Sequence, residues 1–130
     1  MQLLKNPHTY LKAQKEVDEV IGTREVEASD ISKLKYLNAV LRETLRLNPT
    51  VPVLQKAINP ELAHQTVTLD NGKYRVEQSD HIIILMSKAQ RDPNVWGETA
   101  DEFNPDRLLD ENFDKVTAEY PGSWKVRSYL

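Results

Sequence analysis

The chain has 130 residues and a mass of 15.0 kDa, the size of one domain or of one portion of a larger one. Seventeen Lys and Arg against twenty Asp and Glu leave a net charge of −3, which lacks the basic footprint expected of a nucleic-acid partner. The absence of cysteine excludes a disulfide framework, a thiolate nucleophile and any cysteine-ligated zinc or iron–sulfur centre within these residues.

In chain order, Lys5, Asn6, Pro7 and His8 interrupt the first dozen residues, so no signal-peptide core is expected there. Residues 6–22 predict a helix, with Asn6 as its cap, Pro7 in the first turn and Gly22 just past its end. Tyr10, Ala13, Val17 and Val20 make its apolar stripe, and Lys12, Lys15, Glu16, Asp18 and Glu19 its solvated face. A polar stretch over 23–29 leads to Asp30, read as the cap of a short helical turn. A second helix is predicted from about Lys35 to Leu47, stopped by Pro49 with Pro52 close behind.

Residues 51–58 read as extended, and residues 66–76 as a hairpin about Asp70-Asn71-Gly72. The β-branched run 82–86 reads as a buried strand; at five residues it is far too short to span a bilayer. Asp92-Pro93 opens a short helix that Gly97 can close, Asn104-Pro105 marks a turn, and the rest of the tail reads as irregular. The fold class is α+β, mainly helical, without internal repeats or linkers. Both main helices carry apolar faces that the small strands cannot cover, so part of the core is expected elsewhere.

Motifs for independent chemistry are lacking. His8, His64 and His81 show no metal-ligand spacing, and the four glycines are too dispersed for a phosphate-cradling loop. The informative residue is Glu43. On a helical wheel, Tyr36, Val40 and Leu47 fall roughly +20° to +60° from it and Ala39 near −40°, whereas Lys35, Asn38 and Arg42 lie on the far, wet side. A carboxylate turned toward a core needs a partner, and Arg46 is three residues on. Spacing alone leaves open an exposed ion pair worth under about 1 kcal/mol.

Glu43-Thr44-Leu45-Arg46, followed by Leu47-Asn48-Pro49, resembles the Glu-x-x-Arg helix of the cytochrome P-450 haem-thiolate monooxygenases. Two further landmarks resemble that family in order and separation: residues 91–97, Arg-Asp-Pro-Asn-Val-Trp-Gly, and residues 103–108, Phe-Asn-Pro-Asp-Arg-Leu. The similarity runs from 6 to 125. Residues 109–113, with Glu119-Tyr120-Pro121 and Trp124-Lys125, look most like fungal self-sufficient fusions of this haem domain with a flavin reductase, which are fatty-acid hydroxylases.

The resemblance implies a single partial P-450 domain over 1–130 with a divergent tail at 126–130. It also implies a structural, non-catalytic triad of Glu43, Arg46 and Arg107. Val51, Pro52 and Val53 would match the stretch lining the family's substrate pocket, although an ordinary core strand has an equal claim. Lys56 would stand where many members place an arginine against a haem propionate, and Trp96 reads as core packing. The complete enzyme would use haem, with NADPH and flavins acting through a reductase partner, on an apolar small molecule. It would be intracellular, and cytoplasmic if it belongs to the fusion subgroup.

The pattern departs from the family after Trp124-Lys125, where a Pro-Phe-Gly turn and the iron-ligating cysteine loop would follow. The chain reads Val126-Arg127-Ser128-Tyr129-Leu130 instead. The distal oxygen-handling helix would precede Asn6. These 130 residues alone are therefore expected to be inactive and not to hold haem stably, with His64 or His81 giving only adventitious ligation. Another frame of the transcript downstream of Lys125 is expected to encode a Phe-x-x-Gly-x-x-x-Cys-like stretch. The competing expectation is a haem-free remnant, either a small binding module or a non-functional product.

Overall fold

A computed structural model describes residues 2–62 and 66–119, with the side chains of 62 and 117–119 left undescribed. His64, Trp124, Lys125 and the tail at 126–130 fall outside those residues. The chain begins with α1 (Gln2–Lys5) and α2 (Pro7–Val20), and a 3-10 turn at Ala28–Asp30 precedes α3 (Lys35–Leu47). Four short strands follow: β1 (Val53–Lys56), β2 (Val67–Leu69), β3 (Tyr74–Val76) and β4 (Ile82–Leu85). Then come α4 (Met86–Ala89), α5 (Pro93–Trp96), a 3-10 turn at Pro105–Leu108 and α6 (Asp110–Glu119). The α+β, mainly helical class is observed. Among the described residues no helix is long and apolar enough to cross a membrane.

The two long helices follow their punctuation, with local differences. Pro7 opens α2, and Gly22 at φ +62° leaves it. Asn6 does not cap α2 with its side chain; its Nδ2 donates to the Gln2 carbonyl at 2.9 Å and ties α2 to α1. The buried face centres on Thr9 and Ala13, while Tyr10 is exposed. Asp30 ends its 3-10 turn rather than capping it, and its carboxylate accepts the Glu27 N–H at 3.0 Å.

Ala13 of α2 packs with Tyr36 and Val40 of α3, and Leu3, Leu37, Phe103 and Leu109 close around them. A second apolar cluster joins Trp96, Ala100 and Leu108 to Val95, Phe113 and Val116. The last two belong to α6, a helix in a tail read from sequence as irregular. Phe113 and Val116 recur at helical spacing after Leu109, so the signal was present in the sequence.

The strands form two separate antiparallel pairs, β1 with β4 and β2 with β3. In the second pair the turn is type I′-like: Asn71 and Gly72 both have positive φ, and the Lys73 N–H donates to the Asp70 carbonyl at 3.1 Å. In the first, Val53 opposes Leu85 and Gln55 opposes Ile83, so these four side chains share one face. That face is exposed, which corrects the reading of 82–86 as a buried strand. Leu54, Ile82 and Ile84 on the opposite face are half-buried, and Met86 already belongs to α4.

Candidate functional site

Helix α3 turns Glu43 and Arg46 into the interior, where both are fully buried. The pair is bidentate: Arg46 Nε donates to Glu43 Oε2 at 2.7 Å and Nη2 to Oε1 at 2.8 Å. The remaining N–H groups of Arg46 reach backbone carbonyls far along the chain. Nη1 donates to Gln90 at 2.7 Å and to Ala100 at 2.6 Å, and Nη2 to Glu102 at 3.0 Å. All five guanidinium donors are thus used. The plane also lies over the Trp96 ring, with its carbon 4.9 Å from the centroid.

Arg107 approaches from the other side. Its Nε donates to Glu43 Oε1 at 3.1 Å, Nη1 to the Trp96 carbonyl at 3.1 Å, and Nη2 to the Thr99 carbonyl at 2.8 Å. The Asn104 N–H adds a further bond to Glu43 Oε1 at 3.0 Å. Glu43 therefore faces two cations and one amide, which offset the cost of burying a carboxylate. Oε1 accepts three of these bonds and Oε2 one, so both oxygens of the carboxylate are committed to the scaffold. The cluster joins α3 to the segment 90–107.

Other expected site residues stand apart. Val51, Pro52, Val53 and Lys56 are all exposed, at or just before β1. An open cleft of about 610 Å³ lies instead between α1 and the segment after α5, lined by Lys5, Arg91, Asp101 and Phe103, and Val51, Pro52, Val53 and Lys56 take no part in it. Trp96 is core packing.

Three contributors have partners that the sequence did not reveal, although Lys12 is exposed as expected. Glu16, placed on the solvated face, accepts the N–H groups of Tyr36 and Leu37. Lys12, assigned to the same face, bridges to Asp106 at 2.5 Å and sits 4.2 Å above the Tyr36 ring. Arg42, placed on the wet side, stacks 3.9 Å from the Phe113 centroid and donates to the Leu108 carbonyl. In each case the partner is at least 20 residues away, beyond the reach of helical periodicity.

The cytochrome P450 family profile matches residues 1–121. The chain belongs to that family. It is 48% identical over 124 residues to the bifunctional cytochrome P450/NADPH–P450 reductase of Aspergillus oryzae. It is also 43% identical over 123 residues to the self-sufficient cytochrome P450 monooxygenase CYP505E3 of Phanerodontia chrysosporium. Each alignment covers 95% of this chain and 11% of the relative, so the chain spans about a tenth of the length of these proteins. A crystallised cytochrome P450, CYP102L1, superposes with a TM-score of 0.75 at 30% identity, over 87% of this chain and 25% of that one.

Haem-thiolate chemistry requires a cysteine ligand, and the 130 residues contain none. Nor do the described residues gather any set of three His, Cys, Asp or Glu able to hold a metal. These residues therefore supply no thiolate to haem iron. What they build is scaffold.

Proposed function

We propose that this chain forms the inner scaffold of a monooxygenase that inserts one oxygen atom into a C–H bond of an apolar substrate such as a fatty acid. Electrons would come from NADPH through a flavin reductase, as the fusion names of the relatives suggest. The single observation supporting this role is the Glu43–Arg46–Arg107 cluster, which fixes α3 against 90–107 through buried, charge-assisted bonds. An intracellular, cytoplasmic setting with access to NADPH belongs to the same reading.

The missing cysteine favours a second reading for the 130 residues taken alone, that of a haem-free remnant. Reduced protein under carbon monoxide separates the two. The 130-residue chain is expected to lack the red-shifted Soret band of thiolate ligation, and a product extended by its flanking coding sequence is expected to show it. An extended product that binds no haem would favour the remnant, and a thiolate band from the pure 130-residue chain would overturn both readings.

A further inference from the structure

We propose that the tip of the β2–β3 hairpin is a site of spontaneous covalent modification, in which Asn71 deamidates through attack by the backbone nitrogen of Gly72. Three observations converge on this pair. Asn71 and Gly72 are exposed at the turn, and no hydrogen bond from the described residues engages the Asn71 carboxamide. The turn is closed by Lys73 N–H to the Asp70 carbonyl, and among the described residues the Gly72 N–H has no acceptor. A Cβ at Gly72 would meet nothing within 4 Å outside its two chain neighbours, so no other part of the described fold crowds the turn there.

The chemistry balances with water as the only co-reactant. The Gly72 nitrogen loses its proton and bonds to Asn71 Cγ, the C–NH2 bond breaks, and ammonia leaves a five-membered succinimide. Water then opens either carbonyl of the ring, giving aspartate or isoaspartate. The product adds one negative charge to a net charge of −3. Isoaspartate also adds an atom to the main chain inside the four-residue connection 70–73, whose ends are the paired Leu69 and Tyr74.

The other asparagines provide an internal control. Asn6, Asn48, Asn59 and Asn104 each precede a proline, whose nitrogen carries no hydrogen to lose. Asn38, Asn94 and Asn112 lie within helices and are followed by Ala, Val and Phe, so both backbone geometry and side-chain bulk oppose ring closure. The fold therefore confines the reaction to one of its asparagines.

The test is incubation of the folded 130-residue chain in mildly alkaline buffer, followed by peptide mapping and isoelectric focusing. The peptide containing Asn71 should gain about 1 Da as –NH2 is replaced by –OH. It should do so as the dominant change, with an acidic shift of the intact chain and two chromatographically distinct products. Asn71→Gln should abolish the acidic shift. Conversion confined to denatured chain, or as fast at Asn38, Asn94 and Asn112 as at Asn71, would overturn the proposal.

Discussion

The carboxylate of Glu16 receives the amide hydrogen of Tyr36 at 2.7 Å, and its second oxygen receives that of Leu37 at 2.9 Å. The first turn of α3 is thus capped by a side chain from another helix, since Leu34 provides no side-chain cap. The same anion sits at the positive end of the α3 dipole. Hydrogen bonds to charged groups contribute about 1.5–3 kcal/mol, so Glu16→Ala should destabilise the chain by about that amount. Glu16→Gln keeps one acceptor oxygen and should fall between. Urea unfolding measures both, and a Glu16→Ala midpoint equal to that of the parent would refute the cap.

Breaking the buried triad should cost more. Glu43→Ala would leave two guanidiniums facing an empty site, with an expected loss of about 3–5 kcal/mol. Arg46→Lys keeps the charge but loses the fork that serves Glu43, Gln90, Ala100 and Glu102 together. It should therefore be nearly as damaging as Arg46→Ala. Thermal melts of the two variants that differ widely, with the lysine form near the parent, would show that charge rather than geometry holds the cluster.

Asp30 sets an acid limit on stability. Arg24 grips it through two bonds of 2.7 and 2.6 Å, the Glu27 amide adds a third and Lys33 a fourth. The Arg24 guanidinium first, and the Glu27 amide next, hold this carboxyl well below the usual carboxylate range. In the unfolded chain it titrates near about 3.9. Because the folded value is the lower one, the contribution is complete above that pH and is lost as pH falls toward the folded value. Asp30→Asn should lower the melting temperature at neutral pH and flatten its decline in acid. Parallel acid limbs for variant and parent would exclude Asp30 as a source of that decline.

The docking of α6 on α3 rests on Arg42, whose guanidinium stacks on Phe113 and bonds to the Leu108 carbonyl. Lys35 reinforces it through Asp110 at 2.8 Å. A partly desolvated cation–π contact contributes about 0.5–2 kcal/mol. Arg42→Ala should release α6 selectively, seen as faster amide exchange over 110–119 while α2 and α3 keep their protection. Uniform acceleration across all three helices would mean that α6 does not open as a separate unit.

The bounds of α3, the hairpin turn and the Asp92-Pro93 start of α5 were legible because each is written locally, in a proline, an Asn-Gly pair or a cap. The inward position of Glu43 was legible from the wheel, since neighbours on one turn of helix share its environment. The roles of Glu16, Lys12 and Arg42 were not, because each is defined by a partner on another element. Exposure of Ile83 and Leu85 was hidden for a related reason. An apolar run carries the same letters whether or not a second layer covers it.

The partners of Glu43 and Arg46 arrive late. Arg46 bonds to carbonyls 44, 54 and 56 residues further on, and Glu43 waits 64 residues for Arg107. At roughly 5–20 residues per second, a ribosome needs about 3–13 seconds to deliver that last guanidinium. Throughout this interval α2 can pack on Tyr36 and Val40 of the nascent α3, but the carbonyls and guanidinium that serve Glu43 and Arg46 are still missing. Water must serve as the provisional partner, and the helix can dry only when residues 90–107 have emerged. The same bonds that fasten the finished scaffold therefore cannot all form until the later-made segment 90–107 has emerged.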